Sequence, residues 1–540
     1  MFRPSLRNFR ICAPSFVYFC CFAAGAYAAI APGAFYRRFC AVPLILLAGH
    51  LSGQSLYTSC SNLFLFAAAF CWCVYFSGSP RQNYLRRMPR EECWAKLQLR
   101  ITEKSAIPPE LADLKIGQRY CVQIIAMQTH IETNWQATRG KLLLQAAPDK
   151  LAELEELRIG DLLVLEGCLL LPPGENEAAA YYGRHLKIQG YRRILLVSKI
   201  HSTMRVDGGV LLYCQRAIQR LRGFLALRMA AGLDDADSLR ALLALSLGMY
   251  ELLSPAIKQD FIRSGTIHIF SISGLHVGMV ILLLERFLRL CGCKLKTRWF
   301  CLPLFLLGYL LLTGCSTSAL RAFNMSLFFI YSSMRFRVPN ALNALGLSGL
   351  ITLAGNPLYI MHSGFIYSYL IVIVLILSWQ PMQQVKMILL EKQRWIPRKY
   401  QSRISLERAG ANLAAALGSS CMAWAASAGI TLEINGILCL LSPLINLPLG
   451  TNVFLVLAFC PLKLLLDLLP GAAVFSALTM QTLLKSLLFL AESGAASAMT
   501  LRTQPFSRSQ TLLYYACLTV CLLIMHSKSL LLQNEEDEKK

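Results

Sequence analysis

Ser264-Gly265-Thr266-Ile267-His268-Ile269-Phe270-Ser271-Ile272-Ser273-Gly274-Leu275-His276-Val277-Gly278 runs directly into Met279-Val280-Ile281-Leu282-Leu283-Leu284. The apolar part reads as a membrane segment over 267–288. Its entrance is crowded with two histidines, three serines and three glycines. Polar groups at membrane depth are costly unless protein or a wet cavity satisfies them. Glycines permit close helix contact or a locally broken helix. The stretch is therefore either the lining of a polar passage or a tight helix-packing site. His268, Ser271, Ser273, Gly274, His276 and Gly278 are its candidate functional residues.

The rest of the chain agrees with a membrane setting. Of its 540 residues, 55% are hydrophobic and 15% charged, against about 25% charged in soluble chains. Mean hydropathy is +0.49. Many apolar runs approach the roughly 20 residues that cross a bilayer. Net charge is +23, which first reflects Lys and Arg gathered in cytoplasmic loops and does not by itself argue for nucleic acid. The 20 cysteines lie mostly inside apolar runs and form no CxxC pair, so they read as small hydrophobes. A bond between Cys121 and Cys168 is open.

Apolar segments near 11–32, 39–56 and 62–78 open the chain, and 1–80 reads as N-terminal membrane segments. Residues 81–205 change character. Short strand-like runs, Trp94–Ile101, Tyr120–Ile125, Lys141–Gln145, Asp161–Leu171 and Arg192–Ile200, alternate with breakers such as Pro172-Pro173-Gly174. About five strands in some 110 residues suit a small all-β, OB-like barrel, and a short sandwich fits nearly as well. Residues 206–266 read as an amphipathic helical bridge, with Arg216, Arg220, Arg222 and Arg228 among Leu and Ala. Apolar segments resume near 267–288, 299–313, 318–334, 341–361, 363–380 and 410–430. A block at 436–468, interrupted by Pro443, Pro448 and Pro461, reads as folding back on itself. A last segment lies near 511–526, within a 267–530 membrane domain, and 531–540 is a charged tail, of which Glu535–Lys540 is expected to be unstructured. The expected fold is a polytopic α-helical membrane protein of roughly 10–12 transmembrane segments with the β domain inserted.

Loop charges give an orientation. After 267–288 the loop holds Arg289, Lys294, Lys296 and Arg298, and the next, Gly314–Thr317, holds none. Arg335 and Arg337 follow, then the uncharged Asn356–His362. A loop rich in Lys and Arg from Lys386 to Arg408 comes next, and then Thr431–Asn435 with Glu433 alone. The alternation puts the start of 267–288, and the soluble domain before it, outside the cytoplasm, with the N-terminus inside. Arg37 and Arg38 run against this series.

The run from His268 through Ile272-Ser273-Gly274-Leu275-His276-Val277-Gly278 resembles the hallmark of the ComEC family of competence proteins. Ala241–Gly248 with Leu253-Ser254-Pro255 resembles the family's lead-in. Ser318-Ala319-Leu320-Arg321-Ala322 is similar to its Ser-x-Leu-Arg-Ala segment, and Asn446 lies in a stretch like its late Asn-Leu-x-x-x-Pro region. Pro172–Tyr191 resembles the end of its OB-like domain. Ile366 stands where members often carry Gln. The resemblance covers most of 95–500. It implies a channel in the bacterial inner membrane that carries single-stranded DNA inward during natural transformation, with the OB-like domain meeting DNA outside. It also implies that many members end in a metallo-β-lactamase-like domain proposed to degrade the other strand; for this chain the expected partners are a DNA receptor, a separate ATP-driven motor and a separate metallo-β-lactamase-like nuclease. That nuclease fold needs a His-x-His-x-Asp-His cluster, which the eight histidines do not form.

Further candidates are weighed on residue chemistry. Arg321, just inside an apolar segment, is a phosphate contact or snorkels to headgroups. His268 and His276, about 80° apart on a straight helix, lack further ligands, so no metal or cofactor is expected. An intramembrane serine hydrolase would need Gly where Ser271 stands. No P-loop occurs, and no enzymatic activity is expected. The 81–205 domain has 19 Lys/Arg and 14 Asp/Glu. Single-strand binders of this kind combine cations with stacking aromatics, which nominates Arg100, Arg119, Tyr120, Trp135 and Lys141. The alternative function is a transporter or scaffold for a small solute or lipid.

Overall fold

The computed structural model describes residues 17–24, 68–69, 92–103, 119–129, 135–146, 154, 157–170, 191–206, 208–391, 401–469, 471–496 and 499–538. The expected segments before residue 80 lie largely outside the described residues, apart from helical 17–24 and 68–69.

In chain order the strands are β1 (Cys93–Glu103), β2 (Arg119–Thr129), β3 (Gln136–Ala146), β4 (Leu162–Leu170) and β5 (Tyr191–Met204). The helices follow as α1 (Val210–Ala230), α2 (Ala236–Leu247), α3 (Pro255–Arg263), α4 (Gly274–Leu290), α5 (Leu295–Leu312), α6 (Thr317–Met334), α7 (Ala341–Gly355), α8 (Ser363–Glu391) and α9 (Gln401–Asn435). After them come β6 (Ile437–Cys439), α10 (Ser442–Leu466), α11 (Ala472–Ala496), β7 (Thr500–Arg502) and α12 (Arg508–Glu538). The described residues fall into two units, one within Met1–Ala231 and Pro303–His362, the other within Gly232–Leu302 and Ser363–Lys540.

In the first unit β1–β5 close into a barrel of order β1-β2-β3-β5-β4. β3 and β5 run parallel, and the other pairings are antiparallel. Closure decides for a barrel over a sandwich, in a five-stranded OB-like arrangement. Its cause is visible in β1, where Leu97, Leu99 and Ile101 are buried and alternate with Lys96, Gln98 and Arg100. Val122, Ile124, Leu142, Leu144, Leu163, Leu165 and Leu195 complete the interior. Cys121 pairs with Glu103 and Cys168 with Trp94, near opposite ends of β1. Nine residues at about 3.3 Å each hold them roughly 30 Å apart, so they form no disulfide, and both are free.

Helix α1 is tied to the barrel by one side chain. Arg216 Nε donates to the Ile159 carbonyl at 2.8 Å, and Nη2 donates to the Val206 carbonyl at 2.9 Å and to Asp161 Oδ1 at 3.2 Å. Arg216 is thus a structural anchor rather than a headgroup contact. In the same unit α6 and α7 pack together.

In the second unit α2 is almost wholly buried, with Ala241 through Leu245 each at 0% exposure, so this part of the expected surface bridge is core. α10 and α11 form a hairpin against α2 and α3. The expected fold-back within 436–468 is corrected: α10 is one helix through Pro448 and Pro461. Its Pro443 occupies the first turn, where the missing N–H is harmless, and membrane helices tolerate interior proline when neighbours re-satisfy the backbone. α11 was not expected, since Ser, Thr, Gln481 and Lys485 dilute its apolar pattern. The short ribbon β6–β7 pairs the segment entering α10 with the segment leaving α11. α8, α9 and α12 pack through Val374, Ala426 and Leu522, with Tyr514 and Tyr515 hydroxyls donating to the Ala425 and Ala426 carbonyls at 2.7 and 2.9 Å. α12 continues to Glu538, so the tail expected to be unstructured is mostly helical. Leu530, Leu531 and Leu532 followed by Gln and Glu are good helix formers.

Among the described residues six helices are long and apolar enough to cross a membrane: α5, α8 over Ser363–Gln384, α9 over Arg408–Asn435, α10, α11, and α12 over Arg508–Met525. The chain is a multi-pass helical membrane protein with a small β domain.

Candidate functional site

The 264–278 stretch is a break between two helices. α3 starts at a cap written in the sequence: Ser254 Oγ accepts the Ile257 N–H at 3.3 Å, and Pro255 stands in the first turn. It ends at Ser264. Gly265 then adopts φ +74°, and a Cβ there would lie 3.0 Å from Ser442 Oγ. A single turn of 3-10 helix, Ile267–Ile269, leads to α4. The predicted continuous segment over 267–288 therefore begins only at Gly274. The break is held from several sides. Ser264 and Thr266, both fully buried, share a 2.7 Å hydrogen bond. Ser442 Oγ donates to the Gly265 carbonyl at 3.5 Å and accepts from Asn446 Nδ2 at 3.4 Å. Gly494 of α11 lets Ser264 and Ile445 approach where a Cβ would meet them at 3.1 and 2.6 Å.

α4 opens on a reciprocal cap. Ser273 Oγ accepts the Leu275 N–H at 3.2 Å, and His276 Nδ1 accepts the Ser273 N–H at 3.2 Å. The imidazole replaces the usual Glu or Gln of such a cap. His276 is 2% exposed, whereas His268, hydrogen-bonded to the Gly265 carbonyl, is exposed along with Ser271 and Gly278. Ser273 and Gly274 are half-buried. The break rotates the two histidines into different surroundings, which a straight-helix reading could not show. Among the described residues no group of three or more His, Cys, Asp or Glu could hold a metal ion.

Ser318 and Arg321 belong to the first unit, the other motif residues and Asn446 to the second. Arg321 is 5% exposed and Ser318 9%, so Arg321 does not snorkel outward. Its Nη1 lies 3.5 Å from Met325 Sδ, and Ser348 Oγ donates to its backbone carbonyl at 3.1 Å.

On the barrel, register joins two candidates. Arg100 pairs with Gln123, and Gln123 with Lys141. All three are exposed, so they form a row across the outer face of β1, β2 and β3. Lys141 Nζ stands 6.0 Å from the Tyr191 ring centroid. Arg119 pairs with Gln145 at the start of β2. Trp135, 45% exposed, precedes β3, about 20 Å along the strand from Lys141. Tyr120 is a correction: it is 1% exposed, inside the barrel, because it continues the inward alternation of Val122 and Ile124, and it offers no stacking surface. Near the same end Cys315 belongs to the α5–α6 loop. Burial and then the nearby Glu103 carboxylate raise its thiol pKa.

Sequence reasoning missed a buried polar set on α10 and α11. Lys463, 0% exposed, donates to Asp467 Oδ2 at 2.7 Å, and Ser476 Oγ donates to Asp467 Oδ1. Asn452 donates to Ser486. Ser442, Asn446, Asn452, Lys463 and Asp467 fall within an arc of ~120° and a rise of ~37 Å. The i, i+4 spacing of Lys463 and Asp467 was the available signal.

The competence protein family matches residues 245–528. ComE operon protein 3 of Bacillus subtilis (strain 168) is 34% identical over 151 residues, 28% of this chain and 19% of that protein. No solved structure matches. With the broken helix, the Ser-x-Leu-Arg-Ala helix start and the multi-pass architecture all inside or beside the matched span, this chain belongs to the competence protein family.

Proposed function

We propose that this chain conducts single-stranded DNA across the bacterial cytoplasmic membrane during DNA uptake. The observation that carries the reading is the outward row Arg100–Gln123–Lys141 on a closed five-stranded barrel. Strands 2 and 3 of such barrels form the usual oligonucleotide face, and two cations on it suit a polyanion recognised by backbone charge. The loop-charge alternation puts this domain outside the cytoplasm and the N-terminus inside. Membership of the competence family supports a role in DNA handling at the membrane.

In this reading the barrel face takes the strand by its phosphates. In the same unit Arg321 offers a further cation, and in the other unit the polar break at 264–278 supplies uncharged donors and acceptors. Such weak contacts slide rather than trap. The chain acts as conduit, not enzyme: a DNA receptor delivers the strand, a separate ATP-driven protein pulls it, and a separate nuclease removes the complement. The test is entry of labelled DNA into the cytoplasm of a transformable host lacking the gene, alone and complemented with Arg321→Ala. Surface binding without entry supports the reading, as does loss of entry with an Arg321→Ala protein that accumulates normally. Undiminished entry in the deletion refutes it.

A further inference from the structure

We propose that the Nε2–H of His276 is a hydrogen-bond donor reserved for a phosphodiester oxygen of the strand in transit, with Ser273 the positioning residue that sets it. The inference rests on the DNA-conducting reading above. Nδ1 accepts the Ser273 amide N–H at 3.2 Å, with Ser273 Oγ 2.9 Å away. A ring nitrogen that accepts an amide proton carries none itself, so the neutral imidazole holds its single proton on Nε2. That atom is buried and has no hydrogen-bond partner among the described residues, while the whole residue is 2% exposed. A buried donor left unmet costs free energy in every molecule that carries it.

The surroundings indicate what would meet it. Residues 264–284 contain no Asp or Glu. The next carboxylate along α4, Glu285, is taken by Arg289 at 2.6 Å and Arg298 at 2.9 Å. No acidic side chain of the segment is therefore available as the acceptor. Leu275, one position before the buried ring, and Gly278, two positions after it, are exposed on the opposite side of α4, and a Cβ at Gly278 would meet open space. Capture of a strand requires α4 to turn His276 toward that side. A phosphodiester presents unprotonated oxygens at every nucleotide, which suits repeated capture by one fixed donor. A neutral N–H holds each phosphate less tightly than a full cation would in a low-dielectric site, and so lets it pass on.

Two substitutions separate the ring's roles. His276→Asn keeps an acceptor near Nδ1, hence the cap, and removes the Nε2 donor. His276→Gln keeps a donor near Nε2 and loses the cap. In full-length protein in a transformable host, His276→Asn is expected to accumulate normally yet reduce DNA entry about 10-fold or more, the scale of one hydrogen bond to a charged group. His276→Gln is expected to retain more entry for each molecule accumulated. Entry at the wild-type level in His276→Asn overturns the proposal: the donor then serves an interior water or nothing. If that outcome accompanies a deletion that abolishes entry, the DNA-conducting reading stands and only this inference falls. Should both variants fail to accumulate, 15N-histidine spectra of the wild-type protein decide. A protonated Nε2 with bare Nδ1, its signal shifted on adding single-stranded DNA, is expected. The opposite tautomer, or no response to DNA, refutes the proposal.

Discussion

Gly265 shows how narrowly single residues set the break in the membrane domain. Its φ of +74° strains any L side chain, and a Cβ there would crowd Ser442 Oγ at 3.0 Å. Gly265→Ala is expected to cost about 1–2 kcal/mol from the left-handed backbone alone, visible as a lower unfolding temperature of the purified protein. Asp235 caps α2, accepting from the Ser238 N–H at 3.0 Å and from its hydroxyl. The Ser238 side-chain hydrogen bond holds its carboxyl below the ordinary value. A carboxyl lowered on folding contributes stability above its unfolded pKa and loses it as pH falls through its folded pKa. Asp235→Ala should lose about 1 kcal/mol at neutral pH. Asp235→Asn keeps the acceptor and should flatten the acid limb of a stability-against-pH curve. Caps of this kind are legible in sequence, as Asp235 and Ser254-Pro255 are, because the partner lies within a turn. The burial of His276 beside exposed His268 was not, because it depends on a break fixed by Ser442 and Gly494, far away in the chain.

Elements were read well where one local rule governs them. The five strands follow from alternation, and closure into a barrel adds the Arg100–Gln123–Lys141 row, which needs inter-strand register and so was invisible beforehand. Tyr120 was misplaced for the same reason: candidacy by residue type ignores which face the alternation assigns. If both cations of the row contact phosphate, Arg100→Gln with Lys141→Gln should make the salt dependence of single-strand binding shallower by about 1.4 in log–log slope, measured on the full-length protein. An unchanged slope would place DNA elsewhere. The prolines of α10 signal a break by the rule for water-exposed helices, whereas in a membrane domain neighbouring helices repair the backbone. The buried Lys463–Asp467 pair holds the end of that helix. Lys463→Met strands a buried carboxylate and is expected to cost roughly 3–5 kcal/mol, whereas Lys463→Met with Asp467→Leu should recover most of it. Thermal unfolding of the two variants checks this.

At the scale of the whole molecule, composition alone indicated a membrane protein, and the family follows from residues 245–528. Loop charge supports the proposed direction, in which the barrel lies outside and the densest Lys and Arg inside. The account's central claim is that a strand captured outside enters through this chain. The direct measurement follows labelled, selectable DNA in a transformable host with and without the gene, separating DNA bound at the surface from DNA inside. The account predicts normal surface binding and no entry in the deletion, restored by the wild-type gene. Equal entry with and without the gene would contradict it.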